Sequence, residues 1–135
     1  MTRPHLFPLL VLWTATSAVQ AAQPQELLAE FARQAELQSP GYSGFDARRG
    51  ADFFTARHGD WSCSTCHTEN PAKAGKHAVT DKLIEPLAPA ANAARFADPR
   101  KVAKWFKRNC NDVLKRECSA LEKGDVLTYL LSVKS

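Results

Sequence analysis

The sequence predicts an all-α domain, and three observations carry that expectation. Apolar residues recur at helical spacing in four separate stretches. No stretch alternates polar and apolar residues as a half-buried strand would. Helix signals also stand at the segment ends, among them Asp98-Pro99 before one stretch and Ser39-Pro40-Gly41 after another.

Met1 to Ala21 reads as a secretory signal peptide, and residues 22–135 form the domain. Arg3 supplies the charge, Leu6 to Val19 is largely apolar, and cleavage is expected after Ala21 or Ala22. The apolar run is short for a membrane span, and no other stretch is long enough. The mature protein is therefore expected to be exported, periplasmic and soluble. The full chain carries a formal charge of +4, of which the leader contributes Arg3 alone. Such a small excess does not call for nucleic acid.

Pro24 to Gln38 is expected to be a helix with Leu27, Leu28, Phe31 and Ala35 on one stripe, forming an N-terminal extension packed on the outside. Phe45 to Ala56 is the second, capped by Asp46. Gly50 within it costs about 1 kcal/mol against alanine, which a close helix crossing would explain. His58 to Trp61 then lead into Cys63-Ser64-Thr65-Cys66-His67.

Two cysteines separated by two residues and followed at once by histidine form the attachment site of a c-type haem. Each thiol forms a thioether to one vinyl side of the porphyrin, and His67 lies under the ring where its imidazole ligates iron. The competing readings are a thioredoxin-type redox pair, which needs a βαβ context, and half a zinc site, which needs more ligands at knuckle spacing. One covalent haem c is the expectation. Its two propionates would bring the holoprotein close to neutral, and its apolar plate would enlarge an otherwise modest core.

Thr68 to Ala94 shows little periodicity and carries Pro71, Gly75, Pro86 and Pro89. It is expected to wrap a haem edge as a long loop. Asp98 and Pro99 open a third helix as N-cap and first-turn residue. Cys110 and Cys118 follow. A straight helix would hold them about 12 Å apart, whereas a disulfide tolerates at most about 7 Å between Cα atoms. If they are bridged, the chain turns between them. Ala120 to Val133 is the last helix, with Leu121, Val126, Leu127, Leu130 and Leu131 inward.

What faces the other side of the iron decides what the protein does. The only methionine is Met1, which leaves with the leader, so histidine–methionine ligation is excluded. His58, His77, a lysine, Asn109 or no residue at all remain. With Val102 at zero on a helical wheel, Phe106 lies at about +40°, Trp105 at about −60° and Asn109 at about −20°. An asparagine in an apolar stripe must find a partner, and a satisfied core amide meets that need as well as iron does. Trp105 is equally a pocket wall or ordinary core.

The stretches Ile84-Glu85-Pro86-Leu87-Ala88-Pro89, Arg95-Phe96, Val102-Ala103-Lys104-Trp105 and Arg108-Asn109-Cys110-Asn111, with Cys118 and then Gly124 to Leu130, resemble the sphaeroides haem protein type of monohaem cytochrome c. The likeness runs from about Gln25 to Val133. It implies a class I cytochrome c fold in which Gly50 and Phe54 cross the C-terminal helix near Val126 and Tyr129. It further implies that Asn109 is the distal ligand of ferric iron and leaves on reduction, opening a site for oxygen or nitric oxide. It makes Cys110 and Cys118 a disulfide beside that ligand. The electron donor it implies is another c-type cytochrome, typically dihaem. The stretch Thr68 to Asp81 departs from the family, and His77 has no role there. A carbonyl of Pro86 or Pro89 is a candidate acceptor for the free N–H of His67, but the sequence does not identify which carbonyl takes that role. A plain electron carrier with two histidine ligands and a gas-binding protein without a dedicated redox partner are the rival functions.

Overall fold

A computed structural model describes residues 23–135. The predicted signal peptide lies outside the described residues. In chain order the elements are α1 (Gln23–Gln38), α2 (Ala47–Thr55), the one-turn α3 (Cys63–His67), β1 (Gly75–Lys76), β2 (Leu83–Ile84), α4 (Pro99–Leu114) and α5 (Ala120–Ser132). No helix among the described residues is long and apolar enough to cross a membrane.

The fold is built on the crossing of α2 and α5. Gly50 permits it, because a β-carbon there would stand 2.0 Å from the backbone oxygen of Asp125. The crossing is pinned by a buried carboxylate. Asp125 accepts from the backbone N–H of Asp46 and from Nε and Nη2 of Arg49, each at 2.8 Å. These bonds satisfy a charge that burial would otherwise penalise by several kcal/mol or more. Phe54, Val126 and Leu130 fill one core cluster beside this crossing.

The second cluster joins Leu27 and Phe31 of α1 to Val102 of α4 and Leu127 of α5. The N-terminal helix is thus part of the core and not only an outer extension. Its stripe Leu27, Phe31 and Ala35 is buried as the spacing predicts, and Gln38 Oε1 accepts from the N–H of Ala120 at 3.2 Å.

Asp98 caps α4 by accepting from the N–H groups of Arg100 and Lys101. Past Leu114 the chain reverses at Lys115, which takes a left-handed conformation with φ 60°. The reversal brings Cys110 and Cys118 into a disulfide with Cα atoms 5.6 Å apart. Ser119 and Glu122 then form a reciprocal capping box at the start of α5. A fork from Arg116 donates to both Glu122 oxygens, at 2.8 and 2.6 Å.

The predicted loop from Thr68 to Ala94 differs from expectation in one respect. It contains an antiparallel hairpin pairing Gly75 with Ile84 and Lys76 with Leu83. Strands of two residues carry no readable period. Gly75 lets the hairpin lie on the attachment turn, since a β-carbon there would meet the Cys66 carbonyl oxygen at 2.1 Å. Near the start of the loop, the buried Pro71 closes it by accepting from the N–H groups of Leu87 and Ala88 at 2.8 and 2.9 Å.

Candidate haem site

The attachment turn is made rigid by its own residues. Ser62 caps α3 by accepting from Thr65 N–H, and the Thr65 hydroxyl accepts from Ser62 N–H. Both thiols are free and half-buried on this one turn. Burial pushes the Cys63 thiol up to about 11, with the neighbouring Cys66 adding to the rise. His67 closes the turn. Its imidazole is pushed down to about 4, first by burial and then by the positive charge of Arg95. A neutral imidazole has a lone pair to give to a metal, and an imidazolium has none.

The competing readings of the motif find no support. The described sheet is a two-stranded antiparallel hairpin, so there is no βαβ unit among the described residues. Among the described residues no three His, Cys, Asp or Glu side chains gather to hold a metal ion, which leaves zinc short of a ligand set. Two thiols and a neutral histidine on one capped turn suit a covalent haem.

Phe54 stands behind His67 with ring centroids 6.3 Å apart. Gly50 and Phe54 thus tie the attachment turn to the α2–α5 crossing, and α2 packs on α3 directly. Of the two candidate carbonyl acceptors for His67, that of Pro86 is otherwise engaged. Pro86 accepts from Arg95 Nε at 2.8 Å and from Asn92 Nδ2 at 3.4 Å, and Arg95 Nη2 donates to the Glu85 carbonyl at 2.7 Å. His67 makes no side-chain hydrogen bond among the described residues. Arg95 therefore both ties the loop and biases the imidazole, roles that a lone loop arginine does not announce in sequence.

Helix α4 meets the same core cluster as the attachment turn, through Phe106 and Cys63 respectively. Val102 and Cys110 are buried and Phe106 is half-buried, so the core-facing direction of this helix is near +40° on the wheel. Trp105 and Asn109 fall on the flank, where both are exposed. The reading of Asn109 as the centre of the buried stripe is thus corrected, because the disulfide at Cys110 shifts that centre to one side. Asn109 makes no side-chain hydrogen bond among the described residues, so the satisfied core amide is not what the structure contains. Trp105 is 47% exposed, which rules out ordinary core. The Lys104 ammonium and Arg108 guanidinium lie 6.0 and 5.5 Å from its ring centroid.

The two remaining histidines are accounted for differently. His77 sits in the hairpin turn, where its Nδ1 accepts from the N–H groups of Val79 and Thr80 at 3.2 and 3.3 Å. This fixes the ring proton on Nε2, the wrong tautomer for ligating a metal through that atom. His58 packs on Phe53 with ring centroids 5.5 Å apart. Its Nε2 is buried without a hydrogen-bond partner among the described residues. It lines an open cleft of about 430 Å³ between the His58–Trp61 segment and Val113–Lys115 at the end of α4. The attachment side and the α4 side thus share a cleft, and His58 is not the plain surface histidine its sequence position suggests.

Residues 40–130 match the family model described as Domain of unknown function (DUF1924). The chain is 36% identical over 127 residues to cytochrome c'' of Methylophilus methylotrophus, covering 90% of this chain and 88% of that protein. It is 44% identical over 90 residues to the cytochrome c-type protein SHP of Cereibacter sphaeroides, covering 63% and 69%. Among solved structures, oxidised SHP, described as an oxygen-binding cytochrome c, superposes with TM-score 0.71 at 38% identity over 79% of this chain and 94% of that one. The solution structure of cytochrome c'', described in terms of haem-ligand detachment, gives TM-score 0.75 at 36% identity over 83% and 94%. With an attachment turn, a neutral histidine and this degree of likeness over most of its length, the chain belongs to the SHP-type family of monohaem c-type cytochromes that includes cytochrome c'', and its cofactor is a covalent haem c.

Proposed function

We propose that the chain is an exported electron-transfer cytochrome whose distal ligand is Asn109, released on reduction so that oxygen or nitric oxide can bind. In this reading Cys63 and Cys66 hold the haem through thioethers and His67 is the proximal ligand. When bound, haem c supplies an iron that alternates between ferric and ferrous and takes a small diatomic ligand. The observation that carries the proposal is the position of Asn109, exposed on the flank of α4, one residue before the disulfide, with no hydrogen-bond partner among the described residues.

The chemistry of the chain's own residues supports it. An amide oxygen is a hard, weak-field donor that favours the ferric state. Its hold therefore weakens when an electron arrives. The Cys110–Cys118 bridge limits how far Asn109 can travel, because the end of α4 is fastened to the start of α5. The one methionine is Met1, and the Nδ1 of His77 is engaged in its own turn. That engagement weighs against a plain carrier with two histidine ligands. The description of SHP as oxygen-binding and of cytochrome c'' as losing a haem ligand agree with the same reading. Trp105, one turn before Asn109, would wall the distal side. The donor is read as another c-type cytochrome, dihaem in the resembled family, and export follows from the predicted leader.

Absorption spectra of the purified ferric and ferrous holoprotein, with and without carbon monoxide, test this. A ferrous form that binds carbon monoxide is expected. A low-spin ferrous spectrum indifferent to carbon monoxide overturns the openable site. An Asn109→Ala variant with an unchanged ferric spectrum removes Asn109 as ligand.

A further inference from the structure

The charge of the molecule is concentrated on one helix. Residues 23–135 hold 17 basic and 14 acidic residues, a formal +3. Helix α4 alone holds five basic residues (Arg100, Lys101, Lys104, Lys107 and Arg108) against the single acid Asp112, a formal +4. The remainder of the described chain is therefore slightly negative before any propionate is counted. On the helical wheel all five cations fall between about 140° and about 260°, opposite the core-facing side, and all are exposed. Arg100 and Arg108 reach carboxylates only loosely, at 3.9 and 3.8 Å. Lys101, Lys104 and Lys107 have no ion-pair partner among the described residues.

A solvated helix face needs polar residues but not five cations against one acid, and this face borders Trp105, one turn from Asn109. From this we infer that the outer face of α4 is the docking surface for an acidic electron-transfer protein, whose carboxylate-rich surface meets Lys101, Lys104, Lys107 and Arg108. The inference rests on the proposed placement of the haem beside Asn109, and adds where the electron enters. One electron leaves the docked donor, which is oxidised, and the iron goes from ferric to ferrous. A one-sided positive field orients the donor before contact, which raises association rates by ten- to a thousandfold in the strongest cases and fades with salt. Nucleic acid suits the face less well. Lys104 and Arg108 lie against the Trp105 ring, where they compete with a base for its face.

Stopped-flow reduction of the ferric holoprotein tests the assignment, with flavodoxin hydroquinone as acidic protein donor and hexaammineruthenium(II) as small cationic donor. Two triple variants are compared at equal net charge: Lys101→Glu/Lys104→Glu/Lys107→Glu on α4, and Arg48→Glu/Lys73→Glu/Lys134→Glu elsewhere on the exposed surface. At 10 mM ionic strength the α4 triple is expected to lose about tenfold or more in its rate with flavodoxin, the other triple less than about threefold, with the difference collapsing in 0.5 M salt. Neither triple should slow with hexaammineruthenium(II). Equal losses in both triples would mean that net charge acts and not a face, and no loss in either would leave the face without a role; each overturns the inference. Loss of duplex-oligonucleotide binding by the α4 triple with an unchanged flavodoxin rate overturns it in favour of nucleic acid. If the α4 triple fails to fold, Lys104→Gln/Lys107→Gln takes its place with an expected loss of about threefold. Carbon monoxide binding to the reduced wild type tests the Asn109 reading separately, so failure of that reading and failure of the docking face give different results.

Discussion

Replacing Gly50 by alanine should destabilise the protein, although the same change on an exposed helix stabilises one. The new methyl would stand 2.0 Å from the Asp125 carbonyl oxygen, 2.5 Å from its carbon and 2.9 Å from Tyr129 Cβ. Comfortable contact needs about 3.5 Å, so α2 and α5 must part by about 1.5 Å. The obstacle is helix backbone and cannot swing aside. Nor can α2 slide freely, because Arg49 and the N–H of Asp46 hold the Asp125 carboxylate. Parting the helices also loosens Phe54, Val126 and Leu130, all buried beside the crossing. Overpacking of this kind costs about 3 kcal/mol at the upper end, and the better helix propensity of alanine returns about 1 kcal/mol. The net loss is about 2 kcal/mol, or about 8 °C in Tm for a domain of this size. Thermal unfolding of the ferric holoprotein, followed by circular dichroism beside the wild type, measures it. A variant as stable as wild type, or more stable, would show that the crossing is not the close contact described.

Three further outcomes are expected. Asp125→Ala leaves Arg49 and the Asp46 N–H without their acceptor and should cost about 2–3 kcal/mol by urea titration, below the full buried-pair penalty because Arg49 is half-exposed; Asp125→Asn should recover part of it. Reducing the Cys110–Cys118 bridge, or replacing both cysteines by serine, should cost about 2.5 kcal/mol from loop entropy and shift the ferric spectrum if Asn109 is the ligand. Glu122 is pulled below its ordinary value of 4.5, since the desolvation that raises it is outweighed by bonds from Arg116 and Ser119 and by the charge of Arg116. Its stabilisation is therefore present above that value and lost as pH falls through the lower folded value. Glu122→Gln should lose about 1 kcal/mol at pH 7 and show a flatter stability profile below about pH 4.5.

Much of this was legible from local chemistry. The five residues from Cys63 to His67 announce the cofactor because thioether formation and ligation need those groups at that spacing. Asp98-Pro99 announces α4, and Gly50 announces a close crossing because a helix tolerates glycine poorly without cause. What stayed hidden depends on distant partners. Nothing near Asp125 in sequence says that it meets Arg49 and Asp46. The hairpin at Gly75 is too short for a period. The direction α4 faces differs by one flank from the wheel's, since the wheel counts Trp105 as apolar and gives no weight to Cys110. The buried Nε2 of His58 and the loop ties of Arg95 arise from tertiary packing and carry no local signal.

The two sides of the candidate site are held very differently, and that difference bears on the proposed mechanism. On the proximal side, α3 packs on α2 and on β1, and α2 packs extensively on α5. His67 thus stands on the part of the fold with the most mutual support. Helix α4 has no comparably extensive contact with another helix. It is joined through Val102 in one core cluster, through Phe106 at its edge, and through one disulfide near its end. Motions of low cost are drawn from elements with few buried contacts. A ligand that must remain in both oxidation states belongs on the first kind of support, and one that must leave belongs on the second. If Asn109 detaches on reduction, hydrogen exchange in α4 should therefore rise on reduction while that in α2 and α5 stays unchanged. Equal exchange in both states would mean that Asn109 leaves by rotamer change alone, with the helix fixed.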